Sequence, residues 1–155
     1  MIQRIQTIWL FLATTALLAL FLFPYIQFTD ASGIAKAIKI TGLYHYTGTE
    51  VVLDDSFTVL TIATVLVALL PLVVVFFYSH RKKQLTFSYL TILVILAYTF
   101  WLVQTAKAVI GDIQLQFQNY GIGVILPSVA ILFVVLAIRG IRRDEKLVKS
   151  ADRLR

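Results

Sequence analysis

Between Phe57 and Tyr78 the chain runs for twenty-two residues without a charged side chain. At 1.5 Å of rise per residue, a helix of about 20 residues matches the ~30 Å hydrocarbon layer of a bilayer. Three more runs have the same character: Ile5 to Phe23, Leu85 to Val103 and Ile122 to Ile138. Lipid offers no hydrogen bonds to an open backbone, so a spanning segment must satisfy itself, as a helix does. Hydrophobic residues make up 59% of the 155. A soluble chain of this length could not bury so much apolar surface. The pattern therefore predicts an all-α membrane protein, a four-transmembrane-helix bundle forming one domain over 1–155. The predicted spans are 5–23, 57–78, 85–103 and 122–138, with outer loops 24–56 and 104–121 and a cytoplasmic tail 139–155. Arg4 precedes the first run as in a signal peptide, but "LFLFPYIQF" is bulky throughout and offers no small-x-small cleavage site. A retained helix is expected.

Basic residues orient such a chain. Eleven of the fourteen fall on one side: Arg4, the loop "SHRKKQLT", and the tail from Arg139 onward. Lys36, Lys39 and Lys107 fall on the other, with Asp30, Glu50, Asp54, Asp55 and Asp112. Both termini are expected in the cytoplasm.

The first outer loop is too long for a turn. "IKITGLYHYTGTEVVL" alternates and is rich in β-formers, with "TGTE" as turn chemistry, so a small antiparallel hairpin is expected. A lone hairpin is marginal in water. Ile113, Leu115 and Phe117 also alternate with glutamines and could supply a third strand.

Helix pairing in lipid relies on small residues and interhelical hydrogen bonds. Ala13, Thr15, Ala16 and Ala19 offer such a surface, as do Thr61, Ala63, Thr64 and Ala68, and Gly123, Ser128, Ala130 and Ala137. The third run is bulkier, with Tyr98, Phe100 and Trp101, and is expected to face lipid over much of its surface. Pro71 inside the second run predicts a kink. Trp9, Tyr25, Tyr78, Tyr89, Trp101 and Tyr120 lie near run ends, as interfacial anchors do.

Chemistry is sparse. No Asp, Glu, Lys, Arg or His interrupts the four cores, which argues against ion-coupled transport by a monomer. His45 and His80 fall on opposite sides, and there is no cysteine. No zinc-protease, nucleophile-elbow or phosphate-loop motif occurs. Asp55 or Ser56 is expected to cap the second helix. Asp30, Glu50, Asp54 and Asp112 carry no metal-ligand spacing. No catalytic, cofactor or metal residue is therefore assigned, and no cofactor is expected.

The tail "IRRDEKLVKSADRLR" places Leu147, Val148, Ala151 and Leu154 on one stripe, bordered by basic residues. Arg4, Arg142, Arg143, Asp144, Lys146, Lys149, Asp152, Arg153 and Arg155 are the candidates for partner or lipid contact. Anionic headgroups at the cytoplasmic face are the expected ligand, at about 1 kcal/mol per basic residue near the surface. A protein partner in the membrane is the sharper expectation. Nucleic acid is not expected, since membrane topology accounts for the basic residues.

"MIQRIQTIWLFLA" and "IRRDEKLVKSADRLR" resemble the two ends of a family of small four-span inner-membrane proteins of Bacteroidota, called domain of unknown function 4293. The resemblance covers the whole chain and implies a bacterial inner-membrane location and no known activity. Gln3, Arg4, Gln6, Asp144, Glu145, Asp152, Arg153 and Arg155 match the family's pattern. Their common side suggests that the first turn meets the tail, with Arg4 or Gln6 satisfied by a tail carboxylate. In outline the chain is also similar to claudin-type tetraspan proteins. "GLYHY" stands where those carry a glycine-leucine-tryptophan motif, with Tyr44 replacing the tryptophan and no disulfide cysteines, so only the shape carries over. The leading expectation is a non-catalytic interaction or accessory subunit of a cell-envelope complex. The alternatives are a small oligomeric channel or transporter, and a lipid-modifying enzyme using Asp54, Asp112 or His45.

Overall fold

The computed structural model describes residues 2–30, 32–48, 50–78, 80–111 and 116–152, with side chains between Ile5 and Lys146. Helix α1 (Ile2–Leu18) continues through a 3-10 turn at Ala19–Phe21. Four strands follow: β1 (Ile26–Thr29), β2 (Ala35–Lys39), β3 (Gly42–Thr47) and β4 (Glu50–Ser56). Helices α2 (Thr58–Phe76), α3 (Arg81–Ile110) and α4 (Leu126–Asp152) complete the chain. The molecule is mostly helical and carries a small antiparallel sheet between α1 and α2, where the sequence leads one to expect a β element.

The helices form a ring in which α1 and α3 each pack against both α2 and α4. One spacing governs every seam. Buried positions alternate by four and three along α1 and its turn: Gln6, Leu10, Ala13, Leu17, Leu20. The same holds for Leu60, Thr64, Val67, Pro71, Val74 in α2 and for Gln84, Ser88, Thr91, Ile95, Tyr98, Leu102 in α3. It holds again for Ala130, Val134, Ala137, Ile141, Asp144 in α4. A mean repeat of 3.5 keeps one narrow stripe facing the neighbours and is the repeat of a left-handed bundle. Alanine and threonine in these stripes let the helices approach closely.

Several expectations change in detail. Ala13, Thr64, Ala68, Ala130 and Ala137 are buried as expected, but Thr15 and Ser128 are exposed. Phe100 and Trp101 face outward, whereas Tyr98 is buried and its hydroxyl lies 2.7 Å from that of Thr64. A phenol in the α3 stripe spans to α2, where Thr64 offers an oxygen. Pro71 stays within an uninterrupted α2, buried on the seam. Pro127 is the second residue of α4, where a helix needs no donor. The helix α4 continues unbroken into the tail, so 139–152 is not a separate segment. The side chains of the predicted tail stripe lie outside the described residues.

The sheet is an antiparallel meander in the order β1-β2-β3-β4. The single long strand expected before "TGTE" is divided: Lys39 pairs with Gly42, so Ile40 and Thr41 form a tight turn. Gly42 is required there, because a Cβ would sit 2.2 Å from the Asp55 main-chain oxygen. An additional strand comes from Ile26–Thr29, two residues after Pro24. Ile113 and Leu115 lie outside the described residues, and Phe117 sits in a 3-10 turn. Tyr120 instead makes a bridge to Ile26.

No side chain caps α2, whose first flanking residue is Phe57. Asp55 and Ser56 belong to β4, paired with Leu43 and Gly42, and so are not available as caps. The entry to α2 is held by Phe57 N–H donating to Thr41 O (3.0 Å) and Thr61 Oγ1 donating to Ile40 O (3.2 Å). On the other side, Gly121 and Gly123 N–H donate to the carbonyls of Tyr25 and Pro24. Ile26, Phe28, Ile38 and Ile40 face the helix ends and share one core with Leu20, Ala106 and Ile110. The sheet thus closes one end of the bundle; the α2–α3 turn lies at the other.

Candidate site: a polar layer at the turn end of the bundle

At the turn end the seams change from apolar to polar. Gln6 begins the α1 stripe, Gln84 and Ser88 begin the α3 stripe, and Asp144 closes the α4 stripe among the described side chains. Antiparallel chain direction brings these together in one layer. Gln6 is 5% exposed and Asp144 8%. The Gln6 side-chain amide donates to a carboxyl oxygen of Asp144. Gly140 makes room, because a Cβ there would stand 2.8 Å from Gln6 Cγ. Arg81, the first residue of α3, donates from Nη1 to the Asp144 main-chain carbonyl at 3.0 Å. Three helices are therefore joined at one residue. Ser88 donates to the Gln84 carbonyl at 2.8 Å.

Beside this layer lies a cleft of about 210 Å³, lined by Gln6, Thr7, Tyr78, Arg81, Gln84 and Asp144. A guanidinium, a carboxyl group, two amides and a phenol converge there. They can give and accept hydrogen bonds, and among the described residues there is no group of three metal-binding side chains. Buried polar groups are hydrogen-bonded in native structures, and here Gln6 and Arg81 find their acceptors on another helix, at Asp144, while Ser88 uses a carbonyl of its own helix.

The candidates from the sequence separate into two sets. Asp144 turns inward and meets Gln6, the pairing suggested for the first turn and the tail. It is not on the surface with its neighbours. Arg142 lies over the Tyr89 ring, 5.6 Å from its centre, and so packs α4 on α3. Arg143 and Lys146 are exposed. The side chains of Arg4, Lys149 and Asp152, and all of Arg153 and Arg155, lie outside the described residues. At the sheet end, Asp30 pairs with Lys36 at 2.8 Å and Asp54 with His45 at 2.5 Å. Asp30 and Asp54 are thus drawn into separate pairs, Glu50 is exposed on β4, and Asp112 lies outside the described residues.

Arg81, Gln84 and Ser88 were not expected as site residues, because "SHRKKQLT" reads as a charged loop. The signal was present: Gln84, Ser88 and Thr91 extend the four-three spacing of Ile95, Tyr98 and Leu102.

A seamed helical ring, closed by a sheet at one end and a polar layer at the other, carries, among the described residues, three helices long and apolar enough to cross a membrane: Thr58–Phe76, Arg81–Ile110 and Ile122–Lys146. Those features are compatible with a helical membrane protein. The chain belongs to the family described as Domain of unknown function (DUF4293), whose model matches residues 2–154. No curated protein and no solved structure matches it.

Proposed function

We propose that the chain is a four-span protein of the bacterial inner membrane with both termini in the cytoplasm, acting as a non-catalytic interaction subunit of a cell-envelope complex. The apolar belt supports four spans. Val59, Ile62, Leu66, Leu93, Phe100 and Leu132 are each more than half exposed, and so are Ile8 and Phe11 on the shorter α1. An outward apolar surface on every side of a bundle suits lipid and not water. Eleven of the fourteen basic residues belong to the turn end or its flanking segments, as cytoplasmic segments do. There the exposed Arg143 and Lys146 suit anionic headgroups or an acidic partner.

One observation carries the non-catalytic reading. Three polar contacts run between helices inside the bundle: Gln6 with Asp144, Arg81 with the Asp144 carbonyl, Tyr98 with Thr64. They fix register between helices, which is the best attested use of buried polar groups in helical seams. What is left for function is the two surfaces beyond the bilayer. Purification from native membranes in mild detergent tests this. A companion chain should remain attached in fixed ratio and be shed by Arg143→Glu with Lys146→Glu. A solitary chain that meets no partner under any mild extraction contradicts the reading.

A further inference from the structure

The cleft at the turn end holds one side chain that the polar layer does not use. Gln84 is 5% exposed and lines the cleft. Ser88 takes its main-chain carbonyl, but no described residue bonds its side-chain amide. A buried amide without partners is destabilising, and native structures rarely leave one so. The amide is also not sealed. Among the described residues, the side-chain atoms that are both sealed and unpartnered are the hydroxyls of Thr14 and Tyr25. Gln84 therefore opens into the cleft, and the exposed Thr7 and Tyr78 border the way in.

Two opposite charges line the same cleft. Arg81 gives one guanidinium N–H to the Asp144 main-chain carbonyl, and no described carboxylate pairs with it. Asp144 is 8% exposed and accepts from the Gln6 amide, a neutral donor. The ion pairs among the described residues are Lys36 with Asp30 and His45 with Asp54, both at the sheet end. Water can fill an open cleft, but it does not neutralise two separated charges.

We propose that the cleft binds the head group of phosphatidylethanolamine, with the phosphate on Arg81 and the ammonium between the Asp144 carboxylate and the Gln84 amide oxygen. The proposal rests on the membrane reading above, which sets the cleft where α2 ends at Phe76 and α3 begins at Arg81, at the level of lipid head groups. A simple anion meets the Asp144 carboxylate, and a simple cation meets the Arg81 guanidinium. A zwitterion gives each a charge-assisted hydrogen bond. A primary ammonium carries several N–H donors, enough for a carboxylate and an amide oxygen together. Choline has none and is held by aromatic cages, whereas Tyr78 is the one aromatic residue lining this cleft. A serine head group brings a second carboxylate towards Asp144. An apolar cavity of about 150 Å³ admits benzene, so a cleft of about 210 Å³ has room for a phosphate joined to ethanolamine.

The test mixes the full chain in mild detergent with equal amounts of phosphatidylethanolamine, phosphatidylcholine and phosphatidylglycerol, and counts bound lipid by native mass spectrometry. Phosphatidylethanolamine should be retained about tenfold over each of the others, the worth of one hydrogen bond to a charged group. Gln84→Leu keeps the shape of a side chain that bonds nothing in the fold, and should remove most of that preference. Asp144→Asn leaves Gln6 an oxygen but removes the negative charge, and should turn the preference towards phosphatidylglycerol. A purely structural Asp144 would not reverse the choice of head group. Free phosphoethanolamine at the same concentration should not displace the lipid; if it does, the ligand is soluble and the lipid source is wrong. Equal retention of the three lipids, or a preference that both variants leave unchanged, overturns the site, while flotation of the chain with vesicles upholds the membrane reading. A chain that does not float with vesicles overturns both.

Discussion

Gln6 and Asp144 stand 138 positions apart in sequence and share a hydrogen bond inside the bundle. The bond closes the ring by tying the start of α1 to the last described buried position of α4. Removing either partner leaves a buried polar group unsatisfied, at a cost of about 1–3 kcal/mol. Gln6→Leu and Asp144→Leu should each lower stability by that amount in detergent unfolding. The double variant should lose less than the sum, with a coupling of about 0.5–3 kcal/mol. Strict additivity contradicts the clamp. Asp144→Asn keeps an oxygen for Gln6 and should cost least.

Tyr98 and Thr64 make the corresponding link between α2 and α3. Hydrogen bonds between membrane helices contribute about 0.6 kcal/mol on average and up to about 1.7. Tyr98→Phe should cost within that range, because Thr64 Oγ1 keeps its bond to the Leu60 carbonyl. Thr64→Val should cost a similar amount, and the two together little more than one.

Gly121 seats the sheet on the bundle. A Cβ there would lie 2.2 Å from the Pro24 carbonyl oxygen, a main-chain atom that cannot swing away. Gly121→Ala should destabilise by about 1–3 kcal/mol, the usual cost of overpacking. An unchanged unfolding midpoint would show that Pro24 and Gly121 do not touch.

Burial raises the Tyr25 phenol above its ordinary range, with the nearby Tyr98 adding to the effect. The unfolded chain ionises this group near pH 10 while the folded chain still holds the proton. The folded state therefore binds protons more tightly, and stability falls as pH rises past about 10. Below that pH the contribution is fully present. Alkaline unfolding curves for the parent and Tyr25→Phe check the sign: the variant should lose less stability above pH 10.

The helices were legible in the sequence because each apolar run exceeds the length of a strand or loop. Their ends were less so. Arg81 to Gln84 reads as loop because charge masks the stripe that Gln84 and Ser88 continue into it. Asp144 reads as part of a charged surface tail. Only its place in the series Ala137, Ile141, Asp144 turns it inward, and that requires α4 to run on past Gly140. The sheet was half legible. The alternation from Ile38 to Tyr46 continues through Ile40 and Thr41 with no break in pattern, so the turn there is set by pairing between Lys39 and Gly42. β1 is four residues long and follows an apolar run directly, which hides it within the helix signal. The capping expectation failed because Asp55 and Ser56 were taken up by β4.

The even number of crossings is the claim on which the surfaces depend. The chain has no cysteine, so single-cysteine variants report without background. Glu50→Cys on β4, Lys82→Cys at the start of α3 and Arg143→Cys on α4 are all exposed positions. A membrane-impermeant maleimide applied from the periplasmic side should label Glu50→Cys alone, and the other two should react only after the inner membrane is opened. Labelling of Arg143→Cys together with Glu50→Cys from that side contradicts the four-span arrangement.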